Sequence, residues 1–177
     1  MYRWRSVGGA CVAAAAMLAG FSPVQAGDGA REIQVATRTL SFLDGGPTGK
    51  VVFAIVFDPS KPASVAEKDQ VMAALGSGMA ASGVTVVGKP VDISALSSAG
   101  DAGALYLTRG VNYAAAGAYA KSKKMLSISS DMACVQSGAC VMSVAATPKV
   151  EIVVNSATAA AIGARFKAAF KMMIREI

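Results

Sequence analysis

Between Gly49-Lys50 and Asp58-Pro59 the chain carries an unbroken apolar run, Val51-Val52-Phe53-Ala54-Ile55-Val56-Phe57, dominated by β-branched and aromatic residues. A run of this kind reads as a β-strand covered on both faces, because a strand with one wet face alternates polar and apolar side chains. Doubly covered strands belong to parallel sheets held between helix layers. The segment therefore predicts an α/β domain assembled from strand, helix, strand units.

The flanking sequence supplies those units. From Arg31 to Leu43 the apolar residues Ile33, Val35, Ala36, Leu40 and Leu43 keep a helical period that stops at Asp44-Gly45-Gly46. Ser64-Val65-Ala66-Glu67 has the form of a capping box and opens a helix expected to run to about Ala81, with Val71, Ala74, Leu75, Gly78 and Met79 on one face. After Gly83, Val84 to Val87 reads as a second buried strand, parallel to the first through a right-handed crossover. Asp92 to Asp101 is a short helix or loop, followed by a strand at Ala104 to Leu107, an alanine-rich helix at Asn112 to Ser122 and a strand at Met125 to Ser129. Cys140 to Ala145 and Val150 to Val154, separated by Thr147-Pro148-Lys149, read as an antiparallel hairpin at a sheet edge. Asn155-Ser156 then caps a final amphipathic helix with a stripe of Ile162, Phe166, Ala169, Phe170, Met173 and Ile177 opposite Lys167, Lys171 and Arg175. That stripe reads as core-facing; a membrane-surface or partner-binding helix is the alternative. The expected architecture is a single layered α/β domain over residues 27–177, with a mostly parallel sheet, a carboxyl-terminal antiparallel hairpin and the final helix.

Residues 1–26 have the order of a cleavable signal peptide. Arg3 and Arg5 form a basic start, Ala10 to Phe21 an apolar stretch too short to span a bilayer, and Val24-Gln25-Ala26 a site for cleavage after Ala26. The expected location is the periplasm. Cleavage would remove Cys11 and leave Cys134 and Cys140, for which a disulfide is the expectation in an oxidising compartment. A metal pair or a redox couple is the alternative, but no other soft ligand is at hand and the spacing is not Cys-x-x-Cys.

The absence of histidine excludes Ser-His-Asp and Cys-His catalysis and any histidine-ligated metal. Removing Arg3 and Arg5 from the full chain's net charge of +6 leaves +4, which is too mild and too scattered for nucleic acid. Gly45-x-x-x-Gly49-Lys50 is one residue short of a phosphate loop and precedes a strand where a true loop follows one; Tyr119-x-x-x-Lys123 lacks the glycine fingerprint of a dehydrogenase; Gly76-Ser77-Gly78 is expected inside a helix with no base nearby. No cofactor, metal or catalytic group is assigned. Ligands of parallel sheets bind beyond the carboxyl ends of the strands, which here places Asp58, Arg109, Ser130 and Asp131 as candidates for ligand or partner binding, with ordinary turn residues as the alternative.

Leu126-Ser127-Ile128-Ser129-Ser130-Asp131, then Cys134-x5-Cys140 with Gly138 inside, then Val150 to Asn155 and Ala157 to Ile177 follow one another in an order that resembles the periplasmic YfiR-like family. One departure is that family members usually carry an aromatic-rich first helix closing on Trp-Pro, where this chain reads Leu40-Ser41-Phe42-Leu43-Asp44-Gly45-Gly46-Pro47. The resemblance implies a non-enzymatic signalling protein that binds the periplasmic sensor region of an inner-membrane diguanylate cyclase and restrains it, controlling cyclic di-GMP and biofilm formation. It implies an outer-membrane lipoprotein as a second partner, and a homodimer is left open. A periplasmic small-solute-binding domain is the alternative, and a secreted hydrolase would need a nucleophile and base that the sequence does not offer.

Overall fold

The computed structural model describes residues 26–177. Apart from Ala26, the expected signal peptide lies outside the described residues. The described part opens with α1 (Ala26–Thr39), which tightens into a 3-10 turn at Leu40–Phe42. Strand β1 (Gly49–Phe57) leads through α2 (Pro62–Leu75) to β2 (Met79–Ala81) and β3 (Val84–Asp92). A 3-10 segment (Ile93–Ala99) precedes β4 (Ala104–Leu107), α3 (Tyr113–Ser122), β5 (Leu126–Ser129) and α4 (Met132–Gln136). The chain continues through β6 (Met142–Ala145), β7 (Glu151–Val154), α5 (Ser156–Ile162), α6 (Ala168–Lys171) and β8 (Arg175–Glu176). All the strands form one sheet in the order β2-β3-β1-β4-β5-β6-β7-β8. Pairing is parallel from β3 across to β6, and β6 and β7 form the antiparallel hairpin. The expected α/β class and mostly parallel sheet are what the chain forms.

The apolar run of β1 is explained by two cores, one on each face. Val51, Phe53 and Ile55 join a cluster with Ile33 and Leu40 of the α1 segment, Val71 and Leu75 of α2, and Phe166 and Phe170. Ala54 and Val56 point the other way, with Leu105 and Leu107 of β4, Ala116 and Ala120 of α3 and the two cysteines. In β5 the second face carries Ser127 and Ser129, both buried; Ser129 donates its hydroxyl to Leu107 O at 2.7 Å, so the core tolerates it.

Several boundaries differ from the sequence reading. Helix α2 starts at Pro62, whose missing N–H and fixed φ suit a first turn, and Lys61 precedes it, so Ser64-Val65-Ala66-Glu67 is not a capping box. The helix ends at Leu75 rather than Ala81, because Gly76 (φ +51°) and Gly78 (φ +149°) leave helical space. Gly76-Ser77-Gly78 is thus the exit turn, and Met79 enters β2, joined to β3 through Ser82 and Gly83, both at positive φ as a tight hairpin requires. The cysteine segment holds the short helix α4. The hairpin strand β7 is not the sheet edge, since β8 pairs with it in parallel.

The largest correction concerns the expected final helix, which is two short helices. Gly163 adopts the left-handed conformation at φ +76° and returns its N–H to Ala159 O and Ala160 O, ending α5. The chain then crosses to the segment after α1. Asp44 N–H donates to Arg165 O at 2.8 Å and Lys167 N–H to Phe42 O at 2.9 Å, while the Phe42 and Phe170 rings stack at 5.0 Å and Phe166 leans on Phe170 at 5.1 Å. Phe166 and Phe170 are buried as expected, whereas Met173 and Ile177 of the supposed stripe are exposed.

Candidate functional site

The order of crossovers changes direction at β1. The chain leaves β1 toward β3 on one side and later adds β4 on the other, so the carboxyl ends of β1 and β4 flank the point where loops diverge and a cleft opens. Helix α2 begins at this end. Ser64 and Glu67 stand three residues apart on one helical face, and both turn toward the strand ends. Ser64 Oγ accepts the Asp58 N–H at 2.8 Å and lies 2.6 Å from Thr108 Oγ1, which itself donates to Val56 O at 3.0 Å, so the exits of β1 and β4 are fastened to the first turn of α2.

Glu67 is the hub one turn further on. Its Oε1 accepts the Tyr106 hydroxyl at 3.0 Å and the Ser130 hydroxyl at 2.6 Å, and its Oε2 accepts the Arg109 backbone N–H at 2.7 Å. The Arg109 side chain adds a donated bond from Nε to Ser130 Oγ at 3.1 Å and stands 4.0 Å from the same carboxylate. The Glu67 side chain is 13% exposed and that of Arg109 60%, so a screened carboxylate faces a cation at the rim. Burial, and next the charge of Glu67, push the Tyr106 phenol well above its ordinary range, which keeps it a hydrogen-bond donor.

All four residues singled out from the sequence lie at this end of the sheet, but they do different work. Arg109 and Ser130 meet through Glu67. Asp58 folds back on its own turn, accepting from Ser60 N at 3.0 Å and Ser60 Oγ at 2.6 Å and pairing with Lys61 at 3.6 Å. The Ser60 donors hold its carboxyl below the usual carboxylate range. Asp131 caps α4 by accepting Ala133 N–H at 2.9 Å, and it accepts the Tyr113 hydroxyl at 2.7 Å. Tyr113 Oη in turn accepts the Gly110 N–H at 3.3 Å, and Lys61 Nζ donates to Gly110 O, so the Arg109-Gly110 loop is tied on both flanks. Burial, then the Asp131 bond, raise the Tyr113 phenol.

Beside this network is a cavity of about 450 Å³, lined by Glu32 of α1, by Ala66, Glu67 and Gln70 of α2, and by Tyr106 and Arg109, with Thr147 of the β6–β7 turn closing one side. Of the four sequence candidates only Arg109 lines it. Glu67 was missed because its spacing from Ser64 imitates a capping box; the same spacing, read as one face of a helix that follows the first strand, points at the switch. Chemically the arrangement offers a carboxylate and a guanidinium at one mouth with small alanine walls, suited to holding a small polar molecule. Among the described residues no group of three or more His, Cys, Asp or Glu is placed to hold a metal ion.

On the opposite flank, Cys134 and Cys140 are joined as a disulfide, with their Cα atoms 5.2 Å apart. The loop they close is tied to the start of α5: Asn155 Nδ2 donates to Val135 O at 3.1 Å and Thr158 Oγ1 to Gly138 O at 3.0 Å. Gly117 of α3 presses against it so closely that a Cβ there would lie 2.7 Å from Ala139 Cα.

No family model matches the sequence, and no curated protein matches it. Solved structures do match. A conserved domain protein from Vibrio cholerae superposes with a TM-score of 0.61 at 12% identity, covering 84% of this chain and 59% of its own. An ABC domain from Streptococcus pneumoniae, crystallised in complex with L-Trp, gives 0.58 at 14% identity, covering 85% and 60%. The ligand-free, open form of a substrate binding protein with adhesive properties from Clostridium difficile gives 0.56 at 14% identity, covering 72% and 54%. The fold is shared with these three structures. The chain spans about 60% of the length of the first two of these structures. Identities this low speak for the fold alone.

Proposed function

We propose that this protein is a non-enzymatic periplasmic regulator of the YfiR-like kind, which restrains an inner-membrane diguanylate cyclase by binding its periplasmic sensor region. The observation that carries the reading is the state of the polar groups at the carboxyl ends of the strands. The Glu67 carboxylate is engaged by three donors, Asp58 by its own turn and Asp131 by a helix cap and Tyr113. These groups hold loops in place; they do not leave an acid and a base facing a substrate. The segments that carry the family resemblance also support it, because the Ser-Asp turn, the bridged glycine loop and the Asn155-led helix form one interlocked unit instead of scattered matches. Deleting the gene and measuring intracellular cyclic di-GMP tests the reading. A rise, with a sensor region recovered in pull-down from solubilised membranes, is expected; unchanged second messenger with no membrane partner refutes it.

A second reading, a small-solute-binding domain, is favoured by the cavity of about 450 Å³, a volume in the range that takes a small molecule. The likeness to an ABC domain crystallised with L-Trp makes amino acids the first solutes to try. Titration calorimetry with an amino-acid panel decides it: heat of binding lost in Arg109→Ala supports this reading, and no heat with any member removes it.

A further inference from the structure

Among the described residues four large apolar side chains are exposed: Val150 (42%), Met172 (87%), Met173 (56%) and Ile177 (43%). All four fall between Val150 and Ile177. Strand β8 docks in parallel on β7 with Val153 opposite Arg175, and Arg175 Nη2 pairs with Glu151 at 3.1 Å. Val150 leads into β7 as Met172 and Met173 lead into β8, so all three come to the same end of this parallel pair; Ile177 follows at its other end, its N–H bound to Val154 O at 2.9 Å.

Charge is concentrated in the same stretch of sequence. Residues 26–144 hold ten Lys and Arg against nine acids and are almost neutral. Residues 145–177 hold five cations (Lys149, Arg165, Lys167, Lys171 and Arg175) against Glu151 and Glu176. The segment with every exposed large apolar side chain thus carries most of the described chain's charge excess. We propose that this edge is a docking face for an anionic lipid surface.

Three features select lipid over other occupants. The methionines project from an edge, Met172 almost fully, and a protruding unbranched thioether needs no matching socket when it enters the boundary between headgroups and acyl chains. Lys149 and Lys171, next to Val150 and Met172 in the chain, can lay their aliphatic stems along that boundary and keep their charges at the phosphates. A second copy of the chain would bring two basic segments together, and β8 offers only Arg175 and Glu176 for strand addition, a short charged edge of the kind that discourages it. The inference does not depend on which protein, if any, the domain restrains.

Vesicle sedimentation tests it. The protein, expressed from its full sequence and purified from the soluble fraction, is mixed with sucrose-loaded vesicles of phosphatidylcholine alone or of equal parts phosphatidylcholine and phosphatidylglycerol. Sedimentation with the anionic vesicles only, reversed by salt, is expected. Lys149→Gln and Lys171→Gln should each weaken it about fivefold, and Met172→Ser with Met173→Ser should weaken it while leaving the thermal midpoint unchanged, since both side chains are exposed. Equal sedimentation with neutral vesicles, none with anionic vesicles, or wild-type binding by both sets of variants overturns the proposal. So does a dimer in sedimentation velocity that Met172→Ser with Met173→Ser dissolves, which would assign the edge to a second copy of the chain.

Discussion

The Glu67 hub makes a quantitative prediction through a double-mutant cycle with Tyr106. Tyr106 is 2% exposed, so truncating Glu67 to alanine takes away the carboxylate to which its buried hydroxyl donates. A buried donor left without a partner costs about 1–3 kcal/mol. The other two donors fare better, because Ser130 is half-buried and Arg109 exposed, and water can replace the carboxylate at both. Relief of the carboxylate's own desolvation trims the sum, and Glu67→Ala should lower unfolding free energy by about 2–3 kcal/mol. Tyr106→Phe alone should cost about 1 kcal/mol, the ordinary loss of one hydrogen bond. In the Phe background the orphaned hydroxyl no longer exists, so Glu67→Ala should cost about 1–2 kcal/mol less than in the wild type. Urea denaturation of the four proteins with a common slope measures the cycle. A coupling below about 0.3 kcal/mol, within the additivity of unrelated sites, would refute the idea that Glu67 holds the strand ends through Tyr106.

Phe170→Ala should destabilise by about 3–5 kcal/mol in the same assay, since the ring is fully buried between Phe42 and Phe166; a near-zero effect would mean the tail does not pack as described. Gly117→Ala adds a methyl at 2.7 Å from backbone atoms of Ala139 and should cost about 1–3 kcal/mol despite the better helix propensity of alanine, which thermal melting would show. Tyr106 and Tyr113 are both raised in the folded state, so the neutral phenol is favoured there. Their contribution is fully present below the unfolded value of about 10 and is lost as pH climbs above it. Absorbance at the phenolate band should accordingly show both tyrosines ionising together with unfolding; smooth titration of both in the intact fold would contradict the burial of Tyr106 and the Tyr113–Asp131 bond.

What could be read from the sequence tracks how many physical constraints each segment meets alone. Strand β1 was legible because burial on both faces removes every polar residue from Val51 to Phe57, and β4 follows the same logic, whereas β5 buries Ser127 and Ser129 on one face and was legible to within a residue from its extended run between the helix and the cysteine loop. Asn112 and Asn155 were legible as helix starts because capping is local, and each accepts the amide three residues on. The end of α2 was hidden: Met79 continues the helical period of Val71 and Leu75, and only pairing with β3 makes it a strand. The final helix failed for a related reason, since Ile162, Phe166 and Phe170 keep a four-residue spacing across Gly163 although the chain turns there to reach Phe42. At the candidate site the strand ends were found through topology, but Glu67 is on a helix and acquires its three donors only when β4 and β5 stand side by side.

The crossing of the tail over the 3-10 turn after α1 has a consequence for how the protein is made. Lys167 Nζ reaches Ser41 O across 126 residues of chain, and Phe170 supplies the ring on which Phe42 stacks. A ribosome delivers α1 and β1 early and these partners last, so the amino-terminal helix has an unfinished seat for almost the whole of synthesis. Loop closure over that distance comes late and is slow to find. The nascent chain is therefore kept open by its own topology, and a product that stops before Phe166 exposes Phe42 and Leu40, the apolar surface that chaperones and proteases bind.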